Sequence, residues 1–119
     1  MFKLLLVEDD ELVRVMLARR LKALCDVTIA MNGQEALDKL KDETFDLIVS
    51  DVDMPVMNGL EFFKRVKKDF PLFRKRFVFL TGRPEAVEGL GVRVLEKVET
   101  SELVRLVRLV KEELGVSKT

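Results

Sequence analysis

With 119 residues the chain has room for one domain and a sizeable core, and 48% hydrophobic with 35% charged residues describes a globular rather than a disordered sequence. Lysine plus arginine equals aspartate plus glutamate at 21 each, so no global field draws it to nucleic acid or to an anionic membrane. It contains no histidine, which removes Ser-His-Asp and Cys-His catalysis and any histidine metal site, and no apolar stretch approaches the roughly 20 residues of a membrane-spanning helix.

In chain order, Phe2 to Val7 is an apolar run ending in Glu8-Asp9-Asp10. It is too short for a secretion signal and ends in acids, which points to the cytoplasm. Leu12, Val13, Met16, Leu17, Leu21 and Leu24 then recur at helical spacing, with Asp10 as N-cap and Glu11 in the first turn. The single cysteine, Cys25, is expected in the core or at a helix end. Val27 to Ala30 reads as a second strand, broken by Asn32-Gly33, and Gly33 to Lys41 as a second helix. Phe45 to Asp51 is an apolar strand with a polar tip, followed by the turn signal Met54-Pro55-Val56-Met57-Asn58-Gly59 and a third helix. Phe77 to Thr81 and Val92 to Glu96 read as strands four and five, and a last helix runs from about Ser101 to Leu114 with Gly115 as its cap. Strands alternating with helices predict a doubly wound, five-stranded parallel sheet with helices on both faces. One domain is expected over residues 1–115, with 116–119 a frayed tail.

In such a sheet the C-terminal ends of strands one and three are neighbours beside a crevice. Glu8 and Asp9 follow strand one and Asp51 follows strand three, so three carboxylates converge. Like charges this close need a cation, and an all-oxygen set suits Mg²⁺. The competing reading, a plain helix-capping run, explains Asp10 well and Glu8 poorly. Thr81 and Lys97 stand at the tips of strands four and five, where a hydroxyl and an ammonium can serve as donors to phosphoryl oxygens.

These pieces together resemble a response-regulator receiver domain, the phospho-acceptor module of two-component signalling. The match runs from Phe2 to Leu114. It rests on Val7-Glu8-Asp9-Asp10, on Ala30-Met31-Asn32-Gly33-Gln34-Glu35-Ala36-Leu37, on Asp51-x-x-Met54-Pro55-x-x-x-Gly59, on Phe79-Leu80-Thr81-Gly82 and on the late Lys97. The resemblance implies a flavodoxin-like strand order 2-1-3-4-5 and phosphorylation of Asp51. It implies Asp9 as a direct Mg²⁺ ligand, Glu8 holding the ion through water, and Asp53 supplying a backbone carbonyl. Thr81 would hydrogen-bond the phosphoryl group and Lys97 would pair with it. The implied partner is a sensor histidine kinase or phosphotransfer protein, since this chain has no histidine of its own to act as donor. With no effector domain in the sequence, output by partner binding or phosphorelay is expected.

The sequence departs from that pattern in four places. Only Gly82 to Gly91 separate strands four and five, which predicts a short or missing fourth helix. Strand five carries Val94 where the family has an aromatic switch residue. Val98 follows Lys97 where proline is usual, and a cis bond there would cost about 2.5–4 kcal/mol, so trans is expected. Asp53 and Arg83, two residues beyond Asp51 and Thr81, are opposite charges able to pair over the site and slow attack by water. The last helix is apolar over more than half its circumference, which predicts either deeper burial or a homodimer surface. Arg74-Lys75-Arg76 is too short a basic run to indicate nucleic acid.

Two other functions fit parts of the pattern. A haloacid-dehalogenase-type Mg²⁺-dependent phosphatase also uses Asp-x-Asp after a strand, as in Asp51-Val52-Asp53. Its acidic pair, however, follows the nucleophile, and this chain is short for a substrate cap. A phosphorylation-independent interaction module would account for the lost aromatic but not for Glu8, Asp9, Asp51, Thr81 and Lys97 together.

Overall fold

The computed structural model describes residues 2–97 and 100–115, apart from the side chains of residues 74 and 75. The Lys97–Val98 bond, the 116–119 tail and most of the Arg74-Lys75-Arg76 cluster therefore lie outside the described residues.

Five strands form one parallel sheet: β1 (Lys3–Val7), β2 (Asp26–Ala30), β3 (Leu47–Ser50), β4 (Phe77–Thr81) and β5 (Arg93–Glu96). Their order is β2-β1-β3-β4-β5. Four helices connect or follow them: α1 (Glu11–Leu21), α2 (Gly33–Asp42), α3 (Gly59–Asp69) and α4 (Thr100–Glu113). The three central strands are apolar on both sides because both faces are covered. Leu5, Val7, Ile48, Phe77 and Phe79 pack with Ala36, Leu37, Phe62, Phe63 and Val66 of α2 and α3. Leu4, Leu6, Val49, Val78 and Leu80 pack on the other side with Leu17 and Leu21 of α1 and Leu103, Leu106 and Val107 of α4. Phe63 meets Phe77 and Phe79 edge-on, with ring centroids 5.0 and 5.7 Å away, an arrangement that adds to the area they bury.

Helix starts follow short polar side chains. Asp10, Asn32 and Asn58 accept from the backbone N–H groups of Val13, Glu35 and Glu61 at 3.1, 2.9 and 2.9 Å. Gly115 ends α4 with φ +66°, as expected of a left-handed cap. Cys25 is buried just past α1, its thiol donating to the Leu21 carbonyl at 3.5 Å, and burial pushes the thiol up to about 11.

The crossover from β4 to β5 holds a single 3₁₀ turn, Pro84–Val87, so the short or missing fourth helix is observed. A further 3₁₀ turn, Pro71–Lys75, lies between α3 and β4, where no element was expected; its signal is Pro71 at the first position. The wide apolar arc of α4 is largely spent on the core. Leu103, Leu106 and Val107 are buried, Val104, Val110 and Leu114 half-buried, and Leu109 is its exposed large apolar side chain.

Candidate functional site

The C-terminal tips of β1, β3, β4 and β5 meet at one edge of the sheet. The parallel ladder places them there: Val7 pairs with Ser50, Ser50 with Phe79, and Thr81 with Glu96. Asp51 is positioned by its own backbone, its N–H donating to the Val7 carbonyl at 2.9 Å. One carboxylate oxygen, Oδ1, accepts from the Val52 N–H at 2.7 Å.

Lys97 extends into this edge. Its Nζ lies 2.8 Å from Glu8 Oε1 and 2.8 Å from Asp51 Oδ2. Glu8 and Asp51 are almost fully buried, at 1% and 5% exposure, so the ammonium neutralises two carboxylates that are largely shielded from water. Burial pushes the Glu8 carboxyl up to about 7; the Asp51 charge adds to this, and the Lys97 hydrogen bond opposes it. Burial alone would lower the Lys97 ammonium, but its bonds to Asp51 and Glu8 outweigh that and leave it raised.

Asp9, nearer solvent, completes an acidic group: one carboxylate oxygen from each of Glu8, Asp9 and Asp51 lies within 4.8 Å of the others. Three hard oxygen donors with an open solvent side fit a Mg²⁺ ion. Arg14, a residue the sequence reading passed over, braces this loop by donating from Nη1 to the carbonyls of Glu8 and Asp9, both at 3.3 Å. No spacing in the sequence signals this reach back to the loop carbonyls.

Thr81 is fully buried, and its Oγ1 accepts the Arg83 N–H at 3.0 Å. That leaves the hydroxyl proton free to donate elsewhere. The Asp53 carboxylate does not join the acidic group. Arg83 takes it in a two-point pair, Nε to Oδ2 at 3.0 Å and Nη2 to Oδ1 at 2.5 Å, and holds that carboxyl below the usual range. The anticipated pairing of Asp53 and Arg83 is thus formed, bridging the loops beyond β3 and β4.

The β3–α3 loop is strained at one point. Val56 has φ +69°, and the Met57 N–H donates back to the Pro55 carbonyl at 2.7 Å, a tight three-residue turn that β-branched side chains disfavour. Val56→Gly is expected to raise unfolding stability by about 1 kcal/mol, strain relief outweighing the added chain entropy. A denaturant midpoint equal to or below that of the unaltered protein would contradict this.

The sequence profile described as the response regulator receiver domain matches residues 4–103. The chain belongs to this family. As a receiver domain it is 35% identical over 119 residues to protein-glutamate methylesterase/protein-glutamine glutaminase 1 of Methanosarcina mazei, an overlap covering 96% of this chain and 33% of that protein. It is 42% identical over 80 residues to the transcriptional regulatory protein CrdR of Helicobacter pylori, covering 66% of this chain and 37% of CrdR. The receiver domain thus spans about a third of the length of these curated relatives. Among solved structures it resembles the response regulator protein TrrA of Thermotoga maritima, determined in complex with Mg²⁺-BeF. The TM-score is 0.78 and the identity 26%, over 92% of this chain and 99% of that one. Two-component signalling is therefore the setting of this domain. Among the described residues no helix is long and apolar enough to cross a membrane.

Proposed function

We propose that this receiver domain takes a phosphoryl group onto the Asp51 carboxylate from a phosphohistidine on a sensor histidine kinase or phosphotransfer protein. It then signals by changed partner binding or by passing the group on. The observation that carries this reading is Lys97 Nζ at 2.8 Å from both Glu8 and Asp51, at a sheet edge where Asp9 completes the acidic group.

In the transfer the P–N bond to histidine breaks as an O–P bond to Asp51 forms, and the electron pair returns to the imidazole, which is reprotonated from solvent. Such a step depends on positioning and charge neutralisation more than on covalent help. Mg²⁺, which Asp51, Asp9, Glu8 and the Asp53 backbone carbonyl would hold, would supply part of that neutralisation. Lys97 supplies the rest by following the charge from the carboxylate to the phosphoryl oxygens. Thr81 donates its free hydroxyl proton to one of those oxygens.

The donor approaches over α1, whose N-terminus follows Asp9-Asp10. Leu12, Val15 and Met16 are exposed there at 83, 46 and 44%, an i, i+3, i+4 strip fit for a partner helix. Nothing comparable supports dimerisation through α4, where Leu109 alone among the large apolar side chains is exposed. A haloacid-dehalogenase-type reading fares no better. The second aspartate of its motif, Asp53, has both carboxylate oxygens committed to Arg83.

The test is incubation with Mg²⁺ and a small acyl phosphate, read by intact mass and peptide mapping. One added phosphoryl group on Asp51, absent in Asp51→Asn, is expected. An unmodified chain, or modification elsewhere, would refute the proposal. Two further outcomes follow from the site. Asp9→Asn removes one of three crowded like charges, so the metal-free melting point should rise by the equivalent of about 1 kcal/mol while the stabilisation given by added Mg²⁺ falls. A larger response to Mg²⁺ than in the unaltered protein would contradict the ligand role. Arg83→Ala removes the bridge over the pocket and should shorten the lifetime of phosphorylated Asp51 several-fold; an unchanged decay rate would exclude any such shielding.

A further inference from the structure

β5 is the end strand of the sheet, and the crossover leading into it carries only one 3₁₀ turn. Lys97 N–H donates inward to the Thr81 carbonyl at 3.1 Å, and Thr81 pairs with Glu96. By strand alternation the backbone groups of Arg93, Leu95 and Lys97 face β4, while those of Val92, Val94 and Glu96 face outward. Among the described residues no backbone bond satisfies that outer row.

The side chains of the same three residues share the face on which the 3₁₀ turn lies. There Val87, Val92 and Val94 floor a groove of about 430 Å³, also lined by Pro84, Glu85 and Glu88. Glu85, Glu88 and Glu96 are all exposed, and among the described residues none has a salt-bridge partner. An apolar floor, a row of unused strand donors and acceptors, and three carboxylates without a salt bridge thus coincide on one edge. Open edges favour strand addition. A second copy is a poor occupant, because pairing β5 with itself would bring six of these carboxylates together.

We propose that β5 is a docking edge for an extended, basic segment of a partner protein, which adds as a sixth strand. The segment places an apolar side chain over Val92 and Val94. Lysine or arginine two residues to either side meets Glu96 at one end and Glu85 and Glu88 at the other. This site is separate from the phospho-acceptor edge, and its occupation does not require Asp51.

The experiment titrates the full isotope-labelled chain with the end-capped peptide Lys-Thr-Val-Thr-Lys and with its counterpart Glu-Thr-Val-Thr-Glu. The lysine peptide should shift the backbone amides of Val94 and Glu96 saturably and bind about tenfold or more tightly than the glutamate peptide. E85Q/E88Q should weaken the lysine peptide while leaving the spectrum folded. Val94→Pro, which removes an outward N–H that the native ladder does not use, should abolish binding. Equal affinity for the two peptides, shifts confined to other surfaces, or full binding by both variants would overturn the proposal. So would sedimentation showing a dimer whose β5 amides are already protected by a second copy.

Discussion

Gly59→Ala is expected to lower unfolding stability by about 3 kcal/mol and to disable the acidic pocket in whatever fraction still folds. A Cβ built at Gly59 would stand 2.0 Å from the Asp51 carbonyl oxygen and 2.8 Å from the Val52 Cα. Both are backbone atoms, so no rotamer change can make room. The helix start and the Asp51–Val52 backbone would have to separate, breaking the 2.8 Å bond from the Gly59 N–H to the Val52 carbonyl. Asp51 would move with them. Urea unfolding gives the stability loss, and acyl phosphate labelling of the folded fraction gives the functional one. A variant of unchanged midpoint that labels normally would show that this contact is not tight in solution.

Lys97→Met should produce an effect of similar size by another route. The variant leaves Glu8 and Asp51, each almost fully buried, facing one another without a cation. Breaking a buried pair by removing one partner costs about 3–5 kcal/mol; because the Lys97 side chain is 23% exposed, the lower end applies, about 3 kcal/mol. Adding Asp51→Asn to Lys97→Met should restore much of the loss, since the buried aspartate charge left without a partner then disappears. The double-mutant cycle decides the matter: additive losses would mean the ammonium does not stabilise Asp51. Phosphoryl incorporation into Lys97→Met should be slowed as well, because the charge on the incoming oxygens has lost its mobile partner.

The sheet was legible because its central strands are apolar on consecutive residues. Leu4-Leu5-Leu6 and Leu47-Ile48-Val49 can satisfy that pattern only with a helix layer on each side. The site was legible for a related reason: charge at the end of an apolar strand has few places to go. Glu8, Asp9, Asp51 and Lys97 converge as the order of the strand tips requires. What escaped the sequence is local backbone geometry and reach. Pro55 announces a turn but not the positive φ of Val56. Phe70-Pro71 announces a break but not a 3₁₀ turn. Arg14 has the spacing of a surface residue, and only its length carries the guanidinium back to the carbonyls of Glu8 and Asp9. The breadth of the last helix's apolar arc invited an interface, whereas the core beside a one-turn crossover accounts for most of it.

The loop after β3 is fastened at both ends. Gly59 lies hard against the Asp51 carbonyl, and the Gly33 N–H grips the Met57 carbonyl at 3.0 Å, tying the far side to the start of α2. Between these anchors the arch from Asp53 to Val56 is held in turn, by the Arg83 pair on Asp53 and by the Met57 N–H on the Pro55 carbonyl. A group added to Asp51 therefore meets a loop pinned on both flanks, with the Asp53–Arg83 clasp as its link to the loop beyond β4.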